Sequence, residues 1–174
     1  MLILASTGRK CCLNKLWLTA LIFSVFVTSN VIYHRNQPGD DLSSSYIACR
    51  LLSEEEGGDH LYSFDPEFFH IINDPVWTDI AQKTSFRGFL HPYVQTPLWA
   101  YILQPLCKAT NFQIFNLLFL ILNFSSIAAT IWLVAYHWAP SFLFRPILLV
   151  GTLVIFSLTT PAYYMAFLNQ THPL

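Results

Sequence analysis

Two adjacent carboxylates, Asp40 and Asp41, are the residues of this sequence whose type and position are best suited to chemistry. They follow shortly after residues 16–33, an uncharged apolar run near the lower limit of length for a membrane-spanning helix. A carboxylate at a membrane interface is solvated and yet close to lipid-borne molecules, where it can act as a general base toward a hydroxyl group. The pair therefore predicts either acid–base chemistry on a lipid-linked substrate or, more simply, the cap of a following helix.

The composition indicates a membrane protein. Hydrophobic residues make up 54% of the chain and charged residues only 11%, whereas globular proteins carry about 25% charged residues. All ten acidic residues fall between Asp40 and Asp79, so one polar loop lies between apolar segments. The sequence predicts an all-α, polytopic integral membrane protein with a long first extracytoplasmic loop. The nine basic residues form no cluster, which argues against a nucleic-acid partner.

The cysteines give no sign of a metal or redox site. They stand at Cys11, Cys12, Cys49 and Cys107, with no CxxC pair and no histidine at zinc-like spacing. We therefore expect no metal, no cofactor and no redox function.

Four segments follow from the pattern of charge and hydropathy. Residues 1–15 form a basic tail that we place in the cytoplasm, and residues 16–33 form the first transmembrane helix. A cleaved signal peptide is the alternative for this region, because small residues at 27–29 have cleavage-site spacing. Residues 34–96 are the extracytoplasmic loop, and residues 97–174 contain the remaining membrane helices.

Within these segments we predict particular helices. A helix should begin near Leu42, be capped by Asp40 or Asp41, and end at Gly57-Gly58. Aromatic residues between 62 and 93 predict a folded loop that rests on the membrane interface. Residues 97–107 should form a broken or re-entrant helix, because Pro105 interrupts them. Residues 111–136 and 146–158 are predicted to cross the bilayer.

Three stretches resemble one known family in the same order. Residues 41–52 (DLSSSYIACRLL) look like the motif that follows the first membrane helix in GT-C glycosyltransferases of the family-87 type, which are polyprenyl-phosphate-mannose-dependent mannosyltransferases. Residues 58–65 (GDHLYSFD) and 93–100 (YVQTPLWA), the latter followed by Pro105-Leu106, are similar to two further segments of that family. Two departures are Gln95-Thr96, where the family has Tyr-Pro, and Asn169-Gln170, where it usually has Gly-Gln.

The resemblance implies a GT-C-like helical arrangement and inverting transfer of a hexose, mannose in that family, from a polyprenyl-phosphate donor to an acceptor hydroxyl. It implies that Asp41 is the catalytic base and that no cofactor is required. Partners would be membrane lipid and the lipid-phosphate sugar, and the location a bacterial plasma membrane with the site on its outer face. Residues expected to bind substrate are Asp40, Tyr46, Arg50, His91, Tyr93 and Gln170.

The resemblance extends over only the amino-terminal part of the family's usual length. The sequence is therefore expected to be a fragment, a degenerate copy, or one half of a split gene with a carboxyl-terminal partner chain. The alternative function is a non-catalytic multi-pass membrane subunit or transporter fragment, in which the loop docks a partner.

Overall fold

The computed structural model describes the backbone of residues 3–53, 58–63, 72, 74–84, 86 and 90–159, and side chains in those ranges from residue 16 onward. Every regular element in these ranges is helical, which confirms the all-α prediction. The helices are α1 (Ile3–His34), α2 (Asp40–Leu51), α3 (Pro75–Lys83), α4 (Pro97–Ala109), α5 (Phe112–Trp138), α6 (Pro140–Leu143) and α7 (Pro146–Ser157).

Two of these helices are long and apolar enough to cross a membrane. They are the Leu16–His34 part of α1, with 19 residues, and α5, with 27 residues. At 1.5 Å per residue both approach or exceed the ~30 Å hydrocarbon core of a bilayer. Large apolar side chains, among them Trp17, Leu21 and Leu122, are exposed on them. These features favour membrane association.

Helix α7 does not meet the same criterion. It has 12 residues and rises about 18 Å, which is too short for a crossing by itself. The prediction that residues 146–158 span the bilayer is therefore not supported within the described part of the chain.

The chain divides into two compact units, and the first is formed by Met1–Tyr33 and Ile121–Tyr163. Phe26 packs edge-on against Phe124 and Phe156, with ring centroids 6.1 and 6.3 Å apart. The Asn30 amide donates to the Ser157 hydroxyl at 3.0 Å. Such polar links between apolar helices are typical of membrane bundles, where burial of apolar surface cannot drive association.

The second unit, His34–Leu120 with Tyr164–Leu174, contains α2, α3, α4 and the start of α5. Helix α2 lies at its centre, and each of its residues from 42 to 49 is buried. Trp77 of α3 and Tyr93 are buried in the same core, so the described part of the long loop is folded, as predicted.

Helix α2 begins and ends differently from the sequence prediction. Gly39 occupies the N-cap position with φ +62°, no side chain caps the helix, and Asp40 and Asp41 lie in its first turn. The left-handed conformation places glycine, not aspartate, at the cap. The helix ends at Leu51 instead of Gly57-Gly58. Just beyond this end, the Leu52 carbonyl accepts a hydrogen bond from the Gln104 amide of α4.

Helix α4 is also different from its prediction. Residues 97–109 form one helix with Pro105 inside it, so the expected break at this proline is wrong. Pro105 removes one backbone donor, but buried contacts of Ala100, Leu103 and Cys107 hold both halves of the helix against the core.

Replacement of Gly39 by alanine tests the start of α2. A Cβ atom there would overlap Oδ1 of Asn116 and would require φ +62° from an L-residue. We expect Gly39→Ala to lower the free energy of unfolding by about 1–3 kcal/mol. Thermal unfolding of the detergent-solubilised protein measures this effect. Gly58→Ala is the matched control, because a Cβ atom at Gly58 meets nothing within 4 Å; equal stability of the two variants would contradict the prediction.

Candidate functional site

The aspartate pair lies in the first turn of α2, but the two side chains differ in exposure. Asp40 is buried, with 4% of its surface exposed, whereas Asp41 is half-buried. Their backbone carbonyls accept hydrogen bonds from the hydroxyls of Ser43 (2.6 Å) and Ser44 (2.8 Å). Negative charge in the first turn is favourable because it complements the helix dipole. Asp41 is the more accessible member of the pair.

Tyr46 connects α2 to the segment between α4 and α5. Its ring is completely buried, and its centroid lies 5.5 Å from that of Phe112 and 5.1 Å from that of Phe115. Its hydroxyl donates to the Thr110 carbonyl at 2.8 Å. Tyr46 thus fixes the helix that carries Asp41, and a direct contact with substrate stays a prediction.

Arg50 is engaged on the same tyrosine. Its Nη2 and Nε donate to the Tyr46 hydroxyl at 3.1 and 3.3 Å. The guanidinium carbon lies 5.5 Å from the centroid of the Tyr46 ring. These contacts with Tyr46 brace α2, and a role of Arg50 in substrate binding stays a prediction.

The remaining predicted binding residues are dispersed. His91 is half-buried. Tyr93 is buried, its hydroxyl donates to the Thr96 carbonyl at 2.7 Å, and its ring lies 5.9 Å from that of Tyr62. Burial raises the pKa of the Tyr93 phenol to about 12, so this group remains a neutral hydrogen-bond donor. Gln170 lies outside the described residues.

A histidine–aspartate pair was not singled out from the sequence. Nδ1 of His60 lies 2.7 Å from Oδ2 of Asp74. Oδ1 of Asp74 accepts from the Val76 amide at 2.8 Å and caps α3. Burial alone would raise the pKa of the Asp74 carboxyl, but hydrogen bonds from His60, Ser63 and Val76 outweigh it and hold the pKa below its usual value. Asp before Pro is a common pattern at a helix start, so the Asp74-Pro75 step is a signal by which the sequence analysis could have found this cap.

Structurally, this pair holds the loop together. Trp77 of α3 donates its indole hydrogen to the His60 carbonyl at 2.7 Å, so the loop around His60 is fixed to α3 through two separate bonds. An oriented imidazole is also the arrangement found in general bases.

A disulfide joins Cys49 of α2 to Cys107 of α4. Both cysteines are completely buried. The sequence analysis did not predict this pairing, because two cysteines 58 residues apart leave no local spacing signal. Stable disulfides are typical of proteins in oxidising compartments.

A cavity of about 560 Å³ lies beside the start of α2. Its walls come from the segment between α1 and α2, from the first two turns of α5, and from Phe86 after α3. Polar groups of Arg35, Asn36, Gln37, Gln113 and Asn116 line it together with apolar side chains. Sequence analysis did not single out any of these residues.

Metal binding finds no support in the described ranges, where no three His, Cys, Asp or Glu side chains come together. Comparison of the chain with models of known protein families, with curated proteins and with solved structures found no match. Function is therefore inferred from the residues and their arrangement.

Proposed function

We propose that this chain is a GT-C-like hexosyltransferase of the family-87 type, or the amino-terminal part of one. It would move a sugar, mannose by the resemblance, from a polyprenyl-phosphate donor to an acceptor hydroxyl at the outer face of a bacterial plasma membrane. The observation that carries this proposal is the half-buried Asp41 on a helix whose next eight residues are all buried.

The proposed reaction is a direct displacement. Asp41 takes the proton of the acceptor hydroxyl while the acceptor oxygen forms a bond to the anomeric carbon of the donor. The bond from that carbon to the phosphate oxygen breaks, and the lipid phosphate leaves with the bonding electrons. Because the attack comes from the side opposite the phosphate, the anomeric configuration inverts. A base contributes most when it is held in position, and the disulfide and Tyr46 hold α2.

The assay for this function is transfer of radiolabelled sugar from a polyprenyl-phosphate donor by membranes that contain the chain, expressed with any coding sequence that follows residue 174. Formation of a glycosylated acceptor with inverted configuration is expected. Membranes from cells that lack the gene are the control. Equal transfer in both would contradict the proposal.

A non-catalytic membrane subunit is the second candidate. The observation in its favour is that the hydroxyls of Tyr46 and Tyr93 and the guanidinium of Arg50 all make internal hydrogen bonds. In that case the second unit would be a rigid module that docks a partner protein. The chain would then co-purify with this partner and would not support sugar transfer.

The proposed orientation places the loop outside and the α5–α6 junction in the cytoplasm. Asp59 and Ser141 are both exposed and are suitable labelling positions. In a Cys11→Ser/Cys12→Ser background, we expect Asp59→Cys to react with a membrane-impermeant maleimide in intact cells. Ser141→Cys should react only after permeabilisation. The reverse pattern would show that the amino end lies outside.

A further inference from the structure

The cavity beside α2 lies where the chain leaves and re-enters the predicted membrane. Its first wall begins at Arg35, immediately after the candidate span that ends at His34, and its second wall is the start of the candidate span that begins at Phe112. Both walls belong to the same compact unit. The cavity is therefore at the level of lipid headgroups.

The cavity carries an exposed cation. Arg35 lines it, and no ion pair to Arg35 occurs within the described ranges. Asp40 and Asp41, although close in sequence, do not line the cavity. A guanidinium is suited to a phosphate group, which it can bind through two parallel hydrogen bonds.

Amides supply further donors around Arg35. The side chains of Asn36 and Gln113 are exposed at the cavity, and Gln37 is half-buried there. Asn116 fixes this wall in place, since its amide donates to the Gln37 carbonyl at 3.2 Å. The amino end of α5, capped by Asn111, which accepts from the Ile114 amide, adds the positive end of a helix dipole.

The rest of the lining is apolar. Phe86, Phe112 and Leu117 line the cavity together with Pro38. A site for a free inorganic ion gains nothing from such a surface, whereas a lipid presents apolar chain next to its phosphate. The combination of one cation, several amides and an aromatic wall at headgroup level therefore fits a lipid phosphate.

We propose that this cavity binds the phosphate group of a membrane lipid, with Arg35 as its principal ligand. Binding of a phosphate requires no sugar transfer, so this inference goes beyond the proposed function and does not depend on it.

The test uses the purified full chain in a non-ionic detergent without phosphate. Short-chain phosphatidic acid is the lipid probe, diacylglycerol with the same chains lacks the phosphate, and inorganic phosphate is the soluble probe. Thermophoresis measures each affinity for the wild type, Arg35→Gln and Arg35→Lys. Arg145→Gln is the matched control, because Arg145 is also exposed, lies next to an apolar helix and does not line the cavity.

We expect phosphatidic acid to bind at one site and diacylglycerol to bind much more weakly. Arg35→Gln should weaken binding about 10- to 100-fold, the effect of losing charge-assisted hydrogen bonds, and Arg35→Lys should weaken it less. Arg145→Gln should bind as the wild type does. Retention of the Cys49–Cys107 disulfide in Arg35→Gln verifies folding.

The two sources of phosphate give different outcomes. Arg35-dependent binding of phosphatidic acid that inorganic phosphate does not displace supports a lipid headgroup. Arg35-dependent binding of inorganic phosphate with equal affinity supports the phosphate site and assigns it to a soluble ligand. Equal binding of phosphatidic acid by the wild type and Arg35→Gln overturns the proposal.

Discussion

Asp41→Asn is expected to lower the rate of sugar transfer about 10²–10⁴-fold, the contribution of a positioned general base. The amide has the shape of the carboxylate but cannot accept the proton of the acceptor hydroxyl. Because Asp41 is half-buried at the first turn of α2, the substitution should leave the fold and membrane insertion intact. The measurement is the initial rate of transfer per amount of inserted protein.

Asp40→Asn is the matched comparison. Asp40 has the same chemistry one position earlier, but only 4% of its surface is exposed. We expect Asp40→Asn to affect the stability of the fold more than the rate of transfer, since the Asp40 carboxylate lies in the buried first turn of the helix. Full transfer activity in Asp41→Asn would eliminate the proposed mechanism. Loss of activity in Asp40→Asn alone would assign the base to the other aspartate.

The two candidate spans are the part of the fold that sequence predicts well. The predicted run 111–136 agrees with Phe112–Trp138 to within two residues at each end, and the predicted end of the first span at residue 33 is one residue from His34, where α1 ends. Long uncharged runs are unambiguous because lipid requires both length and apolarity over the entire segment. The sequence of the segment alone therefore suffices to predict such a span, because its length and its apolarity are both local properties.

Helix α2 shows why the candidate site is harder to predict. Its position depends on Gly39 beside Asn116, on Tyr46 bonded to Thr110, and on Leu52 bonded to Gln104. Each pair joins residues more than fifty positions apart, so no local pattern reports it. The sequence identified the aspartates as chemically interesting, but it could not show that one is buried and the other accessible.

The cavity has a similar origin. Arg35 and Gln113 are unremarkable polar residues near the ends of two apolar runs, and only the folded chain brings their walls together. Pairing of Cys49 with Cys107 was likewise invisible to spacing. The disulfide and the cavity thus both depend on contacts between segments that are far apart in the sequence.

Removal of the disulfide is expected to have the largest effect on stability. A crosslink between residues 58 positions apart reduces the conformational entropy of the unfolded chain, which in the loop-closure model corresponds to about 4 kcal/mol. Cys49→Ser/Cys107→Ser should therefore lower the free energy of unfolding by about this amount. Chemical denaturation of the detergent-solubilised protein, followed by fluorescence of the buried Trp77, measures the change.

Two controls test whether the lowered free energy of unfolding is due to the crosslink, and a labelling experiment tests whether the crosslink forms. Cys49→Ala/Cys107→Ala should be destabilised to a similar degree, whereas Cys11→Ser/Cys12→Ser should unfold as the wild type does, because neither residue belongs to the pair. Under denaturing conditions without reductant, a polyethylene-glycol maleimide should label only Cys11 and Cys12, and after reduction all four cysteines. Labelling of all four before reduction would contradict the crosslink and would count against the proposed extracytoplasmic location of Asp41.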